Sequence, residues 1–357
     1  MGLEWQGYSA DARWGLIGDR DNVARFSPLI ASLPLLVTLM GATFHAQGSN
    51  QLPDIGTAGV AALPIEQEVR YGNAFMRFAR AGLPIIDDPV LNEYIDDLGQ
   101  RLLTNADGVR FPFTFFLIND PSINAAAFLG GRVKVHTGLF LYAESESELA
   151  SVLAHEITHV TQRHIARYME AQASSSAITL AGLVGSIALA VINPTAGIAA
   201  LQTTLGLSMQ SAINYTRDNE YEADRIGMKT LYDAGFDPMG MANFFQKLAA
   251  EYRYASKPPE MLLTHPLPET RISEARARAG SYGARALLPS LDFWLAKVRI
   301  QVRYGTETPQ ALLTYFDSRL QKGDYPLKDA AIYGKALALL QLKRTDERSE
   351  ERRVGKE

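Results

Sequence analysis

Ser145-Glu146-Ser147-Glu148-Leu149-Ala150-Ser151-Val152-Leu153-Ala154-His155-Glu156-Ile157-Thr158-His159-Val160 is the stretch on which the rest of this chain is organised. Leu149, Val152, Leu153, Ile157 and Val160 recur at helical spacing with no Gly or Pro among them, and Ser145 with Glu148 forms a capping box. The spacing predicts a helix from Ser145 to about Met169.

On such a helix, residues four apart are offset by only about 40°, so His155 and His159 project from one face and can hold the same small cation. Glu156 stands beside them. Zinc is the expected metal, because neutral imidazole suits it and a catalytic site needs three protein ligands plus one open position for water. Glu156 is then expected to orient and deprotonate that water. The motif calls for a third ligand elsewhere in the chain.

Composition narrows the search for that ligand. With 357 residues, 47% of them hydrophobic, the chain can bury a large core and form more than one domain. The net charge is −4 and no sustained Lys/Arg patch lies near aromatic pairs, which excludes a nucleic-acid partner. Cysteine is absent, so disulfides, thiolate nucleophiles and Cys-type zinc sites are excluded as well. A metal must be held by His, Asp or Glu, and there are six histidines. The lack of cysteine fits oxidising and reducing compartments alike.

The N-terminal segment speaks to location. Arg25 precedes an uncharged apolar run, Phe26 to Met40, followed by small and polar residues: the layout of a secretory signal over residues 23–46, cleaved after Ala42 or Ala46. The competing reading, an anchor helix, has to accommodate a short run containing Pro28 and Pro34. Residues 1–22, with Trp5, Trp14 and mixed charges, read as an upstream extension without a role in the fold.

After a Gly/Pro-punctuated linker from Gln47 to Pro64, helices are expected over Ile65–Arg80 and Pro89–Thr104. Strands are expected over Phe113–Asn119 and, after Gly130-Gly131, over Arg132–Thr137. An extended strand ahead of the helix is either an edge that aligns a peptide through main-chain hydrogen bonds or an ordinary core strand. His136 reads as a structural histidine of that second strand. His164, about 140° around the helix from His159, is set aside on the same grounds.

Ala171 to Thr216 contains no charged residue, and Ala177 to Ile192 is a small-apolar run ended by Asn193-Pro194. Its length is short for a membrane span, and its Gly, Ala and Ser favour close helix packing. A helical hairpin over the active site is expected, with residues 177–210 in contact with a membrane surface or unfolded substrate.

Asn219 to Gly227 opens a further helix expected to end near Gly235. Glu220 and Asp224 share a face, so one can bind metal while the other hydrogen-bonds a ligand imidazole. Glu222, about 200° from Glu220, cannot share that task. The alternative for the segment is a solvated acidic face. His265, fixed between Thr264 and Pro266, can close an open metal position, or else it faces substrate from a loop. Arg271 bonds a carboxylate near the site, stabilises an oxyanion, or forms a scaffold salt bridge.

Taken together, His155-Glu156-Ile157-Thr158-His159, Glu220-x-x-x-Asp224 and His265-Pro266-Leu267-Pro268-Glu269-Thr270-Arg271 resemble the gluzincin metallopeptidases related to the CAAX prenyl proteases. The likeness runs from about Leu52 to Ala296 and includes Asn124-Ala125-Ala126-Ala127-Phe128, Gly130-Gly131-Arg132-Val133 and Thr161-Gln162-Arg163-His164. It implies an α+β, mainly helical fold: a zincin-type metallopeptidase domain with a small sheet over residues 47–290. It also implies Zn2+ held by His155, His159 and Glu220, Glu156 as catalytic base, Asp224 as the carboxylate behind a ligand, and His265 as a fourth, inhibitory ligand.

Periplasmic members of that family continue into tetratricopeptide repeats. Leu291–Tyr304, Pro309–Lys322 and Lys328–Leu342 read as a partial set of such helices over 291–342, too few to bury a core alone. Residues 343–357 read as a charged tail, disordered or non-native. The resemblance further implies a zinc-dependent endopeptidase in the periplasm of a Gram-negative bacterium, with chaperone activity in outer-membrane protein assembly. Its partners are then unfolded or misassembled outer-membrane proteins and the β-barrel assembly machinery. Two rivals stand beside this: a chaperone whose zinc site is latched, favoured by the apolar hairpin and repeat-like helices, and a membrane-integrated peptidase, which needs true spanning helices.

Overall fold

The computed structural model describes residues 59–343, apart from 172–176, 194, 198, 201–208, 255–258 and 284. The expected extension, the signal segment and nearly all of the charged tail lie outside the described residues.

Helices α1 (Ile65–Gly82) and α2 (Pro89–Leu103) lead into strands β1 (Thr114–Ile118), β2 (Ala125–Phe128) and β3 (Arg132–His136). Helix α2 starts where the sequence dictates: Asp88 accepts from the Val90 and Leu91 N–H groups, and Pro89 occupies the first turn. The sheet order is β1-β3-β2, with β1 parallel and β2 antiparallel to β3. The strand just ahead of the HExxH helix, β3, is therefore central, and β1 and β2 lie at the two edges. Gly130 and Gly131, both left-handed at φ +70° and +71°, make the β2–β3 turn.

Alternation along the strands separates two cores. Phe115, Leu117, Val133 and Val135 join one with α2 and the central helix α4 (Glu146–Thr161). Phe116, Ile118 and Phe128 join the other with α1 and α6 (Ala177–Ile192). Helix α6 packs on β2 through a face that includes Val184, Ala188 and Val191. The return arm of the expected hairpin falls partly in 201–208, outside the described residues. No helix among the described residues is long and apolar enough to cross a membrane.

Between β3 and α4 lies α3 (Thr137–Tyr142). Helix α4 is buried on nearly every side, which its run of Leu, Val, Ile and Ala requires. Each of its large aliphatic side chains contributes roughly 1.5–3 kcal/mol by burial. Its cap is a variant of the expected box: Ser145 Oγ accepts from the Glu148 N–H, while Glu148 Oε2 accepts from the N–H of Glu144.

The helix does not run on to Met169. It ends at Thr161; Arg163 takes a left-handed φ of 54°, and α5 (His164–Ala171) sets off in a new direction. A non-glycine residue there costs about 1–2 kcal/mol. What holds it is burial of the Arg163 guanidinium against Glu68, 2.6 Å away, and the Leu63 carbonyl.

Downstream come α7 (Met209–Asp233), α8 (Met239–Tyr254), the short α9 (Glu260–Thr264) and α10 (Glu269–Tyr282). Helix α7 begins ten residues before Asn219, so the acidic motif sits mid-helix rather than at a helix start. Helices α11 (Leu291–Tyr304), α12 (Pro309–Lys322) and α13 (Lys328–Gln341) share a small core around Leu312, Phe316 and Leu339. Arg299 and Arg303 bind Asp88 at 2.8 and 3.0 Å, tying α11 to the start of α2.

Candidate metal centre

Helices α4 and α7 approach each other closely because α7 carries Gly227 where they touch. A methyl group there would lie 3.1 Å from the Ala154 carbonyl oxygen and the His155 nitrogen. Glu220 and Asp224 lie on the same α7 face as Gly227, seven and three residues earlier, so the close approach lays both carboxylates against the two histidines.

There His155 Nε2 and His159 Nε2 stand 3.0 Å apart. The Glu220 oxygens lie 3.3 Å from each of them. His265, just past α9, completes the group: its Nδ1 is 3.1 Å from both Glu220 oxygens and 3.3 Å from His155 Nε2. One ligand atom from each of the four residues falls within 4.8 Å of the others. Three imidazole nitrogens and a carboxylate pointed at one another lack enough protons to satisfy every pair, and a cation at their centre resolves the conflict. The set, nitrogen and oxygen without thiolate, fits a borderline divalent ion such as zinc.

Glu156 leans the other way. Its Oε2 accepts from the Ala127 N–H at 2.8 Å, fastening it to edge strand β2. Its Oε1 is buried, 3.3 Å from His265 Nε2, with no hydrogen-bond partner among the described residues.

Burial and charge pull the protonation states apart. Burial pushes His155 down, but Asp224 and Glu220 outweigh it and lift it to about 10. Burial dominates at His159 and lowers it. Glu220 is raised by burial yet held well below the ordinary carboxylate value by His265, His159 and Arg271. Asp224 is likewise lowered, with Arg271 and His155 overcoming burial. His265 is raised, because Glu220 and Glu156 overcome its burial.

Each motif histidine has a support behind it. His155 Nδ1 is 3.0 Å from Asp224 Oδ1, and Arg271 grips that carboxylate at both oxygens, 2.6 and 2.7 Å. The same guanidinium lies 2.9 Å from Glu220 and donates to the Pro266 carbonyl, one residue past His265. Of the roles open to Arg271, the structure places it on carboxylates. His159 Nδ1 meets His164 Nδ1 at 2.8 Å, and His164 Nε2 lies 3.4 Å from Glu222, which Arg167 bonds at 2.8 Å.

His164, set aside as a ligand, lies outside the four-residue group, yet the break at Arg163 turns it toward His159 rather than the roughly 140° away that an unbroken helix implied. His136 lies apart from the cluster, against Ser122 Oγ at 2.8 Å, and burial together with Lys134 lowers it to about 4. It is a structural histidine, as its strand position predicted.

Fold and site define a metallopeptidase-type chain: an HExxH helix crossed by a glutamate-bearing helix, with the motif glutamate fastened to a sheet edge. The chain belongs to peptidase family M48, whose model matches residues 89–279. Membership implies a metal cofactor. The chain is 49% identical over 327 residues to the beta-barrel assembly-enhancing protease of Yersinia pestis, covering 89% of this chain and 66% of that one. It is 46% identical over 320 residues to the protein of the same name from Escherichia coli K12, with the same two coverages. Metalloprotease LoiP of Escherichia coli K12 is 26% identical over 209 residues, 55% of this chain and 75% of LoiP. A relative from Vibrio cholerae is 56% identical over 296 residues, 83% of this chain and 61% of that one; the chain spans less than two thirds of the length of the Vibrio cholerae, Yersinia pestis and Escherichia coli β-barrel assembly-enhancing relatives.

Proposed function

We propose that the chain is a zinc-dependent endopeptidase of the Gram-negative periplasm that degrades misfolded or misassembled envelope proteins and assists outer-membrane protein assembly. The observation that carries this reading is the convergence of His155, His159 and Glu220 beside Glu156, whose carboxylate is fastened to an edge strand. The relatives named for β-barrel assembly supply the substrate class.

His155, His159 and Glu220 hold the metal in this proposal, and Asp224 orients His155. Zinc, when bound, polarises the scissile carbonyl and makes a neighbouring water acidic. The β2 edge aligns the peptide by main-chain hydrogen bonds, largely without regard to sequence. The Ala127 N–H fixes one Glu156 oxygen, so the other takes the proton of the attacking water and delivers it to the leaving nitrogen. No covalent intermediate with the protein forms.

A second reading has its own observation. His265 Nδ1 stands among the ligand atoms, where it would serve as a fourth ligand to a bound metal in place of water. The resting chain is then a latched peptidase in which binding of unfolded outer-membrane proteins, or of the β-barrel assembly machinery, dominates over cutting. One experiment separates the readings: casein degradation by the zinc-loaded chain, its Glu156→Gln variant and its His265→Ala variant. Loss of about 10²–10⁴-fold in Glu156→Gln is expected, with higher basal cleavage in His265→Ala. Undiminished cleavage by Glu156→Gln removes the peptidase proposal, and an unchanged or slower His265→Ala removes the latch.

A further inference from the structure

Most of the polar groups around the centre already have a task, but His164 does not. It is 4% exposed at its side chain, lies outside the four-residue group, and faces the ring nitrogen of His159 that the group does not use. An imidazole that keeps its Nε2 lone pair for a cation carries its proton on Nδ1, and that proton needs an acceptor whose position fixes the ring. At His155 the acceptor is a carboxylate in direct contact. At His159 the only ring-nitrogen contact at Nδ1 among the described residues is His164 Nδ1, at 2.8 Å, with the two rings edge to face at 82°.

We infer that His164 is the positioning residue for His159, accepting its Nδ1 proton while its own Nε2 lies nearest the Glu222 carboxylate. The proton positions follow from that one contact. If His159 donates from Nδ1, His164 accepts at Nδ1 and carries its own proton on Nε2, the atom 3.4 Å from Glu222 Oε2. Arg167 donates to that same oxygen at 2.8 Å and fixes its position.

The backbone break is what makes this possible. Continued as a helix, the segment would carry His164 away from His159, and the left-handed turn at Arg163 brings it back behind that ring. Burying Arg163 against Glu68 and Leu63 thus sets the position of a group that supports the centre.

The inference rests on His159 being a metal ligand, and the test keeps the two apart. Zinc affinity is measured by competition with a chromophoric chelator for the full chain and for His159→Ala, His164→Leu and His164→Asn. His164→Leu keeps the bulk and loses the acceptor, whereas His164→Asn can restore an oxygen near the Nδ1 position. We expect His164→Leu to bind zinc about 10–100-fold more weakly, and His164→Asn to recover most of that loss. Thermal midpoints of the metal-free proteins report any purely structural damage, which falls on both substitutions alike. Unchanged zinc affinity in His164→Leu, or an equal loss in His164→Asn, overturns the inference. Full zinc affinity in His159→Ala overturns the ligand assignment instead.

Discussion

The two motif histidines sit one turn apart on the same helix, yet they are supported in different ways. Behind His155 the chain places Asp224 and Arg271, side chains that are 10% and 2% exposed. Behind His159 it places His164, then Glu222 and Arg167, the last two 23% and 32% exposed. One support is a buried ion pair in direct contact; the other is a relay that ends at the surface. Charge–charge attraction strengthens as water is excluded, and so does the cost of leaving one partner alone. The Asp224 side should therefore couple the metal site to the stability of the whole domain, and the Glu222 side should tune the metal alone.

The largest effect falls on Arg271. Its guanidinium neutralises both Asp224 and Glu220 and holds the Pro266 carbonyl next to His265. Arg271→Leu leaves only the histidines of the site to offset two buried carboxylates, at a cost of about 3–5 kcal/mol. Arg271→Lys should rescue little, because a point charge cannot match the two-pronged grip on Asp224. Denaturant unfolding of the metal-free variants checks this, and a loss under about 1 kcal/mol would show that the ion pair is replaceable.

A pH series on the metal-free chain sharpens the same contrast. Asp224 and Glu220 are both lowered from their ordinary values of 3.8 and 4.5. Their contribution is fully present above those values and is lost as pH falls through the lowered folded ones. His155 runs the other way: raised from 6.5 to about 10, it stabilises fully below 6.5 and less as pH climbs toward 10. Removing Arg271 should move the acid loss to higher pH, since the carboxylates lose the cation that lowers them. Acid unfolding curves that coincide for the two proteins would place the main stabilisation of these carboxylates elsewhere.

What the sequence made legible was local. The apolar spacing of α4, the capping pair Ser145 and Glu148, and the start of α2 at Pro89 are set by neighbours within a turn or two. So is the shared face of Glu220 and Asp224, because a four-residue offset fixes it whatever the rest of the fold does. Strand β2 was hidden because Ala125-Ala126-Ala127 has strong helix propensity and becomes a strand only by pairing with β3. The break at Arg163 was hidden for a similar reason. Nothing in Thr161-Gln162-Arg163-His164 demands a left-handed residue; Glu68, 95 positions earlier, imposes it. The contact of His164 with His159 was hidden with it.

The smallest effect tests the surface end of the relay. Arg167 bonds Glu222 in a partly exposed pair, and such pairs contribute only about 0.2–1 kcal/mol. Arg167→Ala should leave stability nearly unchanged and weaken zinc binding by no more than a few-fold, since the pair it breaks is open to water. Glu222→Gln should do slightly more, because His164 Nε2 then faces a neutral oxygen across a gap of 3.4 Å, already long for a hydrogen bond. The loss should shrink in high salt for Arg167→Ala and persist more for Glu222→Gln, because screening already weakens the more exposed pair and acts less on the contact with buried His164. Zinc affinity measured at two salt concentrations decides it. If Arg167→Ala costs as much as Asp224→Asn, the relay is as tightly coupled as the buried pair, and the asymmetry between the two histidines disappears.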